Sequence, residues 1–89
     1  MWEEKAKLRP NDFGWALEAL RDGEQVTRRG WNGRHMWLAL VPRSALPVTV
    51  KRVEAHMRSF IVMYTVQGEF VPWLASQTDI LATDWEVVD

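Results

Sequence analysis

A chain of 89 residues has room for one small domain with a single core, and at this size folding buries only about 60 to 65% of the surface that the unfolded chain exposes. With 47% hydrophobic and 26% charged residues the composition excludes a disordered chain, a net charge of −1 excludes the general cationic pull of a nucleic-acid coating protein, and the absence of cysteine excludes disulfides, thiol nucleophiles and thiolate zinc sites. Six tryptophans are more large rings than one thin core encloses, so several are expected to line an interface or a ligand pocket.

In chain order, residues 1–10 are charged, end at Pro10 and contain no apolar run of the signal-peptide kind; they are expected to form a loose arm ahead of a single domain over 11–89. No stretch of about 18 apolar residues occurs, which predicts a soluble protein of the cytoplasm with no membrane partner. Phe13, Ala16, Leu17 and Leu20 recur at helical spacing behind Asn11 or Asp12 as N-cap, with Gly23 placed as terminator, so a helix of about three turns is predicted. Trp15 lies roughly 200° round that helix from Phe13, and its ring is expected to pack outside this core.

Residues 26–29 and 36–41 flank Gly30-Trp31-Asn32-Gly33-Arg34, and Asn-Gly between extended runs predicts a hairpin with its tip near Asn32-Gly33. The second strand is apolar on both faces, Met36, Leu38 and Leu40 alternating with Trp37, Ala39 and Val41, as in an internal strand or one covered by a subunit contact. Pro42 stops it; Pro42 and Pro47 bracket a loop, and residues 50–57 read equally as a turn of helix or a variable crossover. Residues 59–66 and 69–71 form a second hairpin about Gln67-Gly68. Ser76-Gln77-Thr78-Asp79 has the form of a capping box opening a short helix, and residues 85–88 close the chain as a strand. The predicted fold class is α+β, a small, mostly antiparallel sheet of four or five strands with one longer N-terminal helix and one short C-terminal helix.

Catalysis on a nucleotide needs a base, a nucleophile or a metal cluster near the reacting atom, and none of these appears as a pattern. His35 and His56 stand alone, without a second histidine or a carboxylate at ligand spacing, and read as structural or surface residues; no catalytic residue, metal or cofactor is assigned. What the chain does carry is aromatic rings beside small polar groups: Trp31-Asn32 at a hairpin tip, and Pro72-Trp73 leading into Ser76, Gln77 and Asp79. That combination suits a nucleobase, since stacking on indole is worth about 1–3 kcal/mol per base and amides or carboxylates pair with base edges and ribose hydroxyls. The alternative is that Trp31 and Trp73 anchor their hairpins as core residues. Asp79 competes with phosphate for the free amides at Ser76, so Asp79 is assigned to capping or hydroxyl recognition, and phosphate contacts fall to Arg28, Arg29 or Arg34. Each of these arginines reads otherwise as a solvated strand residue.

Two stretches together resemble a known family. One is Asp12-Phe13-Gly14-Trp15-Ala16-Leu17-Glu18-Ala19-Leu20-Arg21-Asp22-Gly23 running on to Arg29-Gly30-Trp31-Asn32-Gly33; the other is Val71-Pro72-Trp73-Leu74-Ala75-Ser76-Gln77-Thr78-Asp79-Ile80-Leu81-Ala82-Thr83-Asp84-Trp85. They resemble the second type of Thoeris anti-defence protein, a phage and prophage family. The resemblance implies a non-enzymatic sponge that sequesters cyclic ADP-ribose isomers in the cytoplasm of the infected bacterial host, and in some members also cyclic oligonucleotides of the CBASS type in separate pockets. It implies a homotetramer with pockets between subunits. It assigns Phe13, Trp31 and Trp73 to the adenine and ribose rings, and Asn32, Ser76, Gln77 and Asp79 to polar contacts. The rival readings are an enzyme that degrades the signal and an inhibitor that binds the defence enzyme or effector directly.

Overall fold

The computed structural model describes residues 2–5, 7, 9–31 and 35–89. Helix α1 spans Trp2–Lys5, helix α2 Phe13–Arg21, and strand β1 Val26–Arg28, followed by one 3-10 turn at Arg29–Trp31. Strand β2 is Trp37–Val41, β3 Val48–Val50, β4 Val53–Ala55, β5 Phe60–Tyr64 and β6 Phe70–Pro72; helix α3 is Gln77–Ile80 and strand β7 Trp85–Val87. Five strands form one antiparallel sheet in the order β6-β5-β2-β1-β7, and β3 and β4 pair as a separate ribbon. Among the described residues no helix is long and apolar enough to cross a membrane.

Local chemistry sets the ends of α2. Asp12 is the N-cap, its carboxylate accepting from the Trp15 amide at 2.8 Å. At the other end Gly23, with φ 86°, donates to the Leu20 carbonyl and the Glu24 amide donates to that of Ala19, the reciprocal pair of a Schellman cap. The helix therefore has nine residues, about two and a half turns rather than three, and α1 and α3 have four each. None is long, so the expected contrast between one longer and one short helix is weaker than predicted.

Ala16, Ala19 and Leu20 of α2 lie on Val26, Leu38 and Trp85 from three neighbouring strands, and these six residues are the core. The N-terminal segment is not a loose arm throughout. Its α1 turn places the Trp2 ring 5.0 Å from that of Trp15, and both rings lie against the core cluster, so Trp15 is at the edge of the core rather than outside it.

The first hairpin pairs β1 with β2 through Val26 and Leu38, while its expected tip at Asn32-Gly33 lies outside the described residues. The second turns at Gly68, φ 82°, where a glycine takes the left-handed conformation without a Cβ penalty. The segment read as helix or crossover is instead the β3–β4 ribbon, and its two turn residues, Lys51 and Arg52, have φ of 48° and 70°. Two consecutive positive φ values make a type I′ turn, which matches the right-handed twist of the strands and is adopted here without Asn or Gly.

The sheet has two unlike faces. Leu38, Leu40, Ile61 and Met63 face α2 and the core, whereas Trp37, Ala39, Val41, Val62 and Tyr64 alternate onto the opposite side. There Trp37 stacks on Tyr64 at 4.9 Å and 16°, with the Phe70 ring edge-on to Trp37 at 5.8 Å. A shallow depression of about 290 Å³ on this side is lined by Gln25, Trp37, Ala39, Val41, Val62 and Phe70.

Candidate functional site

Trp85 is the hub of the helix-facing side. It is fully buried, and its ring centroid lies 5.5 Å from Phe13, 5.4 Å from Trp31 and 6.2 Å from Trp73, the last two edge-on. Phe13 and Trp73 are themselves 5.9 Å apart. Edge-to-face and tilted packing at these separations is the favoured geometry for aromatic quadrupoles. Four rings from separate segments thus form one cluster, in which Trp85 is enclosed while Phe13, Trp31 and Trp73 are half-buried.

Backbone bonds hold the cluster. Asn11, in the left-handed region that asparagine tolerates, donates its side-chain amide to the Trp85 carbonyl and accepts the Trp85 amide at 3.0 Å, which ties the start of α2, and so Phe13, to β7. The indole Nε1 of Trp85 donates to the Asp79 carbonyl at 3.0 Å, fixing α3 beside it. Ser76 caps α3 by accepting the Asp79 amide at 3.1 Å.

An ionic network closes the other flank. Arg28 Nε donates to Asp84 Oδ1 at 2.7 Å and Nη1 to Asp79 Oδ1 at 2.8 Å, and the Gly30 amide donates to Asp84 Oδ2 at 2.6 Å. Hydrogen bonds from Arg28, reinforced by the Gly30 amide, hold the Asp84 carboxyl below the usual carboxylate range, and Asp84 and then Asp79 raise the guanidinium above its ordinary value. Space at Gly30 is tight: a Cβ there would stand 2.9 Å from both Arg28 Nη2 and Asp84 Oδ2, so the ends of the ion pair would have to shift to admit it. Arg28-Arg29-Gly30-Trp31 and Asp79 with Asp84-Trp85 are therefore halves of one structural unit, joined across more than fifty residues of chain.

The likeness to known proteins spans nearly the whole of this domain. Residues 11–88 match the model of the Thoeris anti-defense 2-like domain. This chain belongs to that family. A curated protein named Thoeris anti-defense 2, from Bacillus phage SP01, is 39% identical over 82 residues, spanning 85% of this chain and 92% of that protein.

Within this Thoeris anti-defense 2-like domain the predicted ring residues Phe13, Trp31 and Trp73 converge, and Asp79 lies beside them through Trp85 and Arg28. Ser76 and Gln77 are exposed at the start of α3, with the Ser76 hydroxyl engaged in capping. Asn32 and Arg34 lie outside the described residues. Of the two remaining arginines, Arg28 differs from expectation. Arg28 is neither a solvated strand residue nor available to phosphate: its side chain is only 15% exposed and lies between two carboxylates, which leaves the group net negative. Arg29 is 70% exposed and paired with Glu86 at 3.2 Å.

Three contributors escaped the sequence reading. Asp84 was visible as the acid before Trp85, but only the fold brings Arg28 to it. Gly30 was visible as a turn residue, and its role in admitting the ion pair depends on that same approach. Trp37 with Tyr64 had a signal in the two-faced apolar strand, which indicated a covered surface without naming the rings.

Proposed function

We propose that this protein acts against a Thoeris-type defence as a sponge: it binds a cyclic nucleotide signal, a cyclic ADP-ribose isomer, and holds it without cleaving it, in the cytoplasm of the infected host. The observation that carries this reading is the convergence of Phe13, Trp31 and Trp73, each half-buried, on a fully buried Trp85. A purine laid on such a cluster gains about 1–3 kcal/mol per stacking contact, and a sponge needs affinity rather than turnover, about −12 kcal/mol for nanomolar capture. The carboxylates of Asp79 and Asp84 suit hydroxyl donors of a ribose better than phosphate oxygens, because Arg28 alone does not offset both.

The assembly belongs to the same proposal. The pockets form between subunits of a homotetramer, whose contacts cover apolar surface that a monomer leaves open. Two observations support this: Leu74, next to Trp73, is 91% exposed and Leu81, just past α3, is 75% exposed, and the Trp37, Tyr64 and Phe70 face of the sheet lies on the side opposite α2. Apolar patches of this kind mark interaction surfaces. Cyclic oligonucleotides of the CBASS type are a second ligand class within this reading.

The test loads purified protein with a cyclic ADP-ribose isomer, denatures it by heat and examines the released ligand by chromatography. Intact ligand is expected; a linear product or ADP-ribose would instead make the protein an enzyme. Titration calorimetry on Trp31→Ala and Trp73→Ala should show binding weakened at least about tenfold with the oligomer intact, as loss of one stacking contact requires. Variants that unfold would make these rings core residues only. Adding excess signal should restore effector activity, whereas an inhibitor acting on the effector itself would persist.

A further inference from the structure

The two chains stay in contact past the last β2–β5 pair, Val41 with Phe60: the Ser44 amide donates to the Met57 carbonyl at 3.1 Å and the Met57 amide to the Ser44 hydroxyl at 2.9 Å. Arg43 and Arg58 lie on these two neighbouring segments and line one pocket. Like charges gathered in one place are destabilising, and such local conflicts concentrate where a ligand resolves them. Elsewhere the described arginines of the domain's main sheet and α2 are neutralised: Arg21 meets Glu18, Arg28 meets Asp79 and Asp84, and Arg29 meets Glu86. Among the described residues no carboxylate meets Arg43 or Arg58.

These two arginines, with His56 and Ser59, line a pocket of about 340 Å³ whose lining contains no acid. His56 Nδ1 lies 3.2 Å from the Ser44 carbonyl; a carbonyl only accepts, so Nδ1 carries the hydrogen and this bond leaves Nε2 unused. Residues 42–58 hold Arg43, Lys51, Arg52 and Arg58 against Glu54 alone, a formal charge of +3 in a chain totalling −1, so the rest of the chain carries −4.

We propose that this pocket is a second binding site, separate from the aromatic cluster, and that it takes a phosphomonoester of mononucleotide size with its phosphoryl group between Arg43 and Arg58. Two guanidinium groups lining one pocket match a group with several oxygens and up to two negative charges, whereas a single carboxylate satisfies only one fork. The Ser59 hydroxyl supplies a further donor. The volume stands at the lower end of small-molecule sites, which fits one nucleotide and not a long chain.

Titration calorimetry with adenosine monophosphate, adenosine and inorganic phosphate on the full chain tests this. The monophosphate should bind, adenosine should bind at least about tenfold more weakly, and inorganic phosphate should compete. The double variant Arg43→Gln/Arg58→Gln should lose the monophosphate by a factor of about ten or more while its thermal midpoint holds or rises, because two like charges on one pocket are gone. Trp73→Ala should leave this binding unchanged, so failure here and failure of the sponge reading are told apart. Three results would overturn the proposal: equal binding of adenosine, monophosphate binding that survives the double arginine variant, or binding of single-stranded DNA with a steep salt dependence and none of the monophosphate.

Discussion

Replacing Asp84 with asparagine keeps the side chain's shape and removes its charge. The carboxylate receives Arg28 Nε at 2.7 Å, Arg28 Nη2 at 3.4 Å and the Gly30 amide at 2.6 Å, on both of its oxygens. An asparagine presents one acceptor oxygen, so its NH2 is turned toward a donor and at least one charge-assisted bond, worth about 1.5–3 kcal/mol, is lost. With the Asp84 side chain 24% exposed, solvent screening trims this only modestly, and the expected cost is about 2 kcal/mol. For a domain of this size that lowers the thermal midpoint by about 8–16 °C.

The pH dependence has a definite sign. Arg28 holds the Asp84 carboxyl below its ordinary value of 3.8 in the folded chain, so its contribution is fully present above the unfolded value and is lost as pH falls through the folded one. Circular dichroism melts and urea titrations at neutral pH should show the full deficit of the variant, and the same measurements below that ordinary value should show it shrinking. A variant within about 0.5 kcal/mol of wild type at neutral pH, or a deficit that persists unchanged in acid, would refute the network as a stabilising element.

Gly30→Ala places a methyl 2.9 Å from both partners of the ion pair and should cost about 1–3 kcal/mol in urea titrations; combined with Asp84→Asn the costs should fall short of additive, since both act on one contact. Trp2→Ala removes the ring pair with Trp15 and should cost about 1 kcal/mol, with loss of near-ultraviolet dichroism from that pair and little change in ligand binding. Lys51→Asn with Arg52→Gly relieves two left-handed residues at the ribbon tip. Hydrogen exchange of the amides in Val48–Val50 and Val53–Ala55 should slow several-fold, while global unfolding changes little because the whole ribbon is exposed.

The elements that the sequence announces are those whose signals are local. Asp12 and Gly23 bracket α2 because a side-chain acceptor and a residue at ease with positive φ act within one turn of the helix ends. Gly68 turns the second hairpin and Ser76 caps α3 for the same kind of reason. The ribbon at 48–55 escaped because its turn is built from Lys51 and Arg52, residues that carry no turn preference, and the hairpin partner imposes their conformation. The partner of Trp2 was not legible because α1 is a single turn, and its ring meets Trp15 only through the tertiary fold.

Of the site, the residue types and the separate stretches were apparent in the sequence, and so were the rings that converge. The role of Arg28 was not. It depends on β7 lying beside β1, a pairing between chain segments that no local preference encodes, and on Asp84 arriving 56 residues later. Residue order alone thus determined helix ends, turns and the alternation of apolar positions, which depend on neighbours within a few residues. Which strand lies beside which, and therefore which charges neutralise one another and which rings share a core, was decided only in the folded chain, where burial selects among pairings that are equivalent along the backbone.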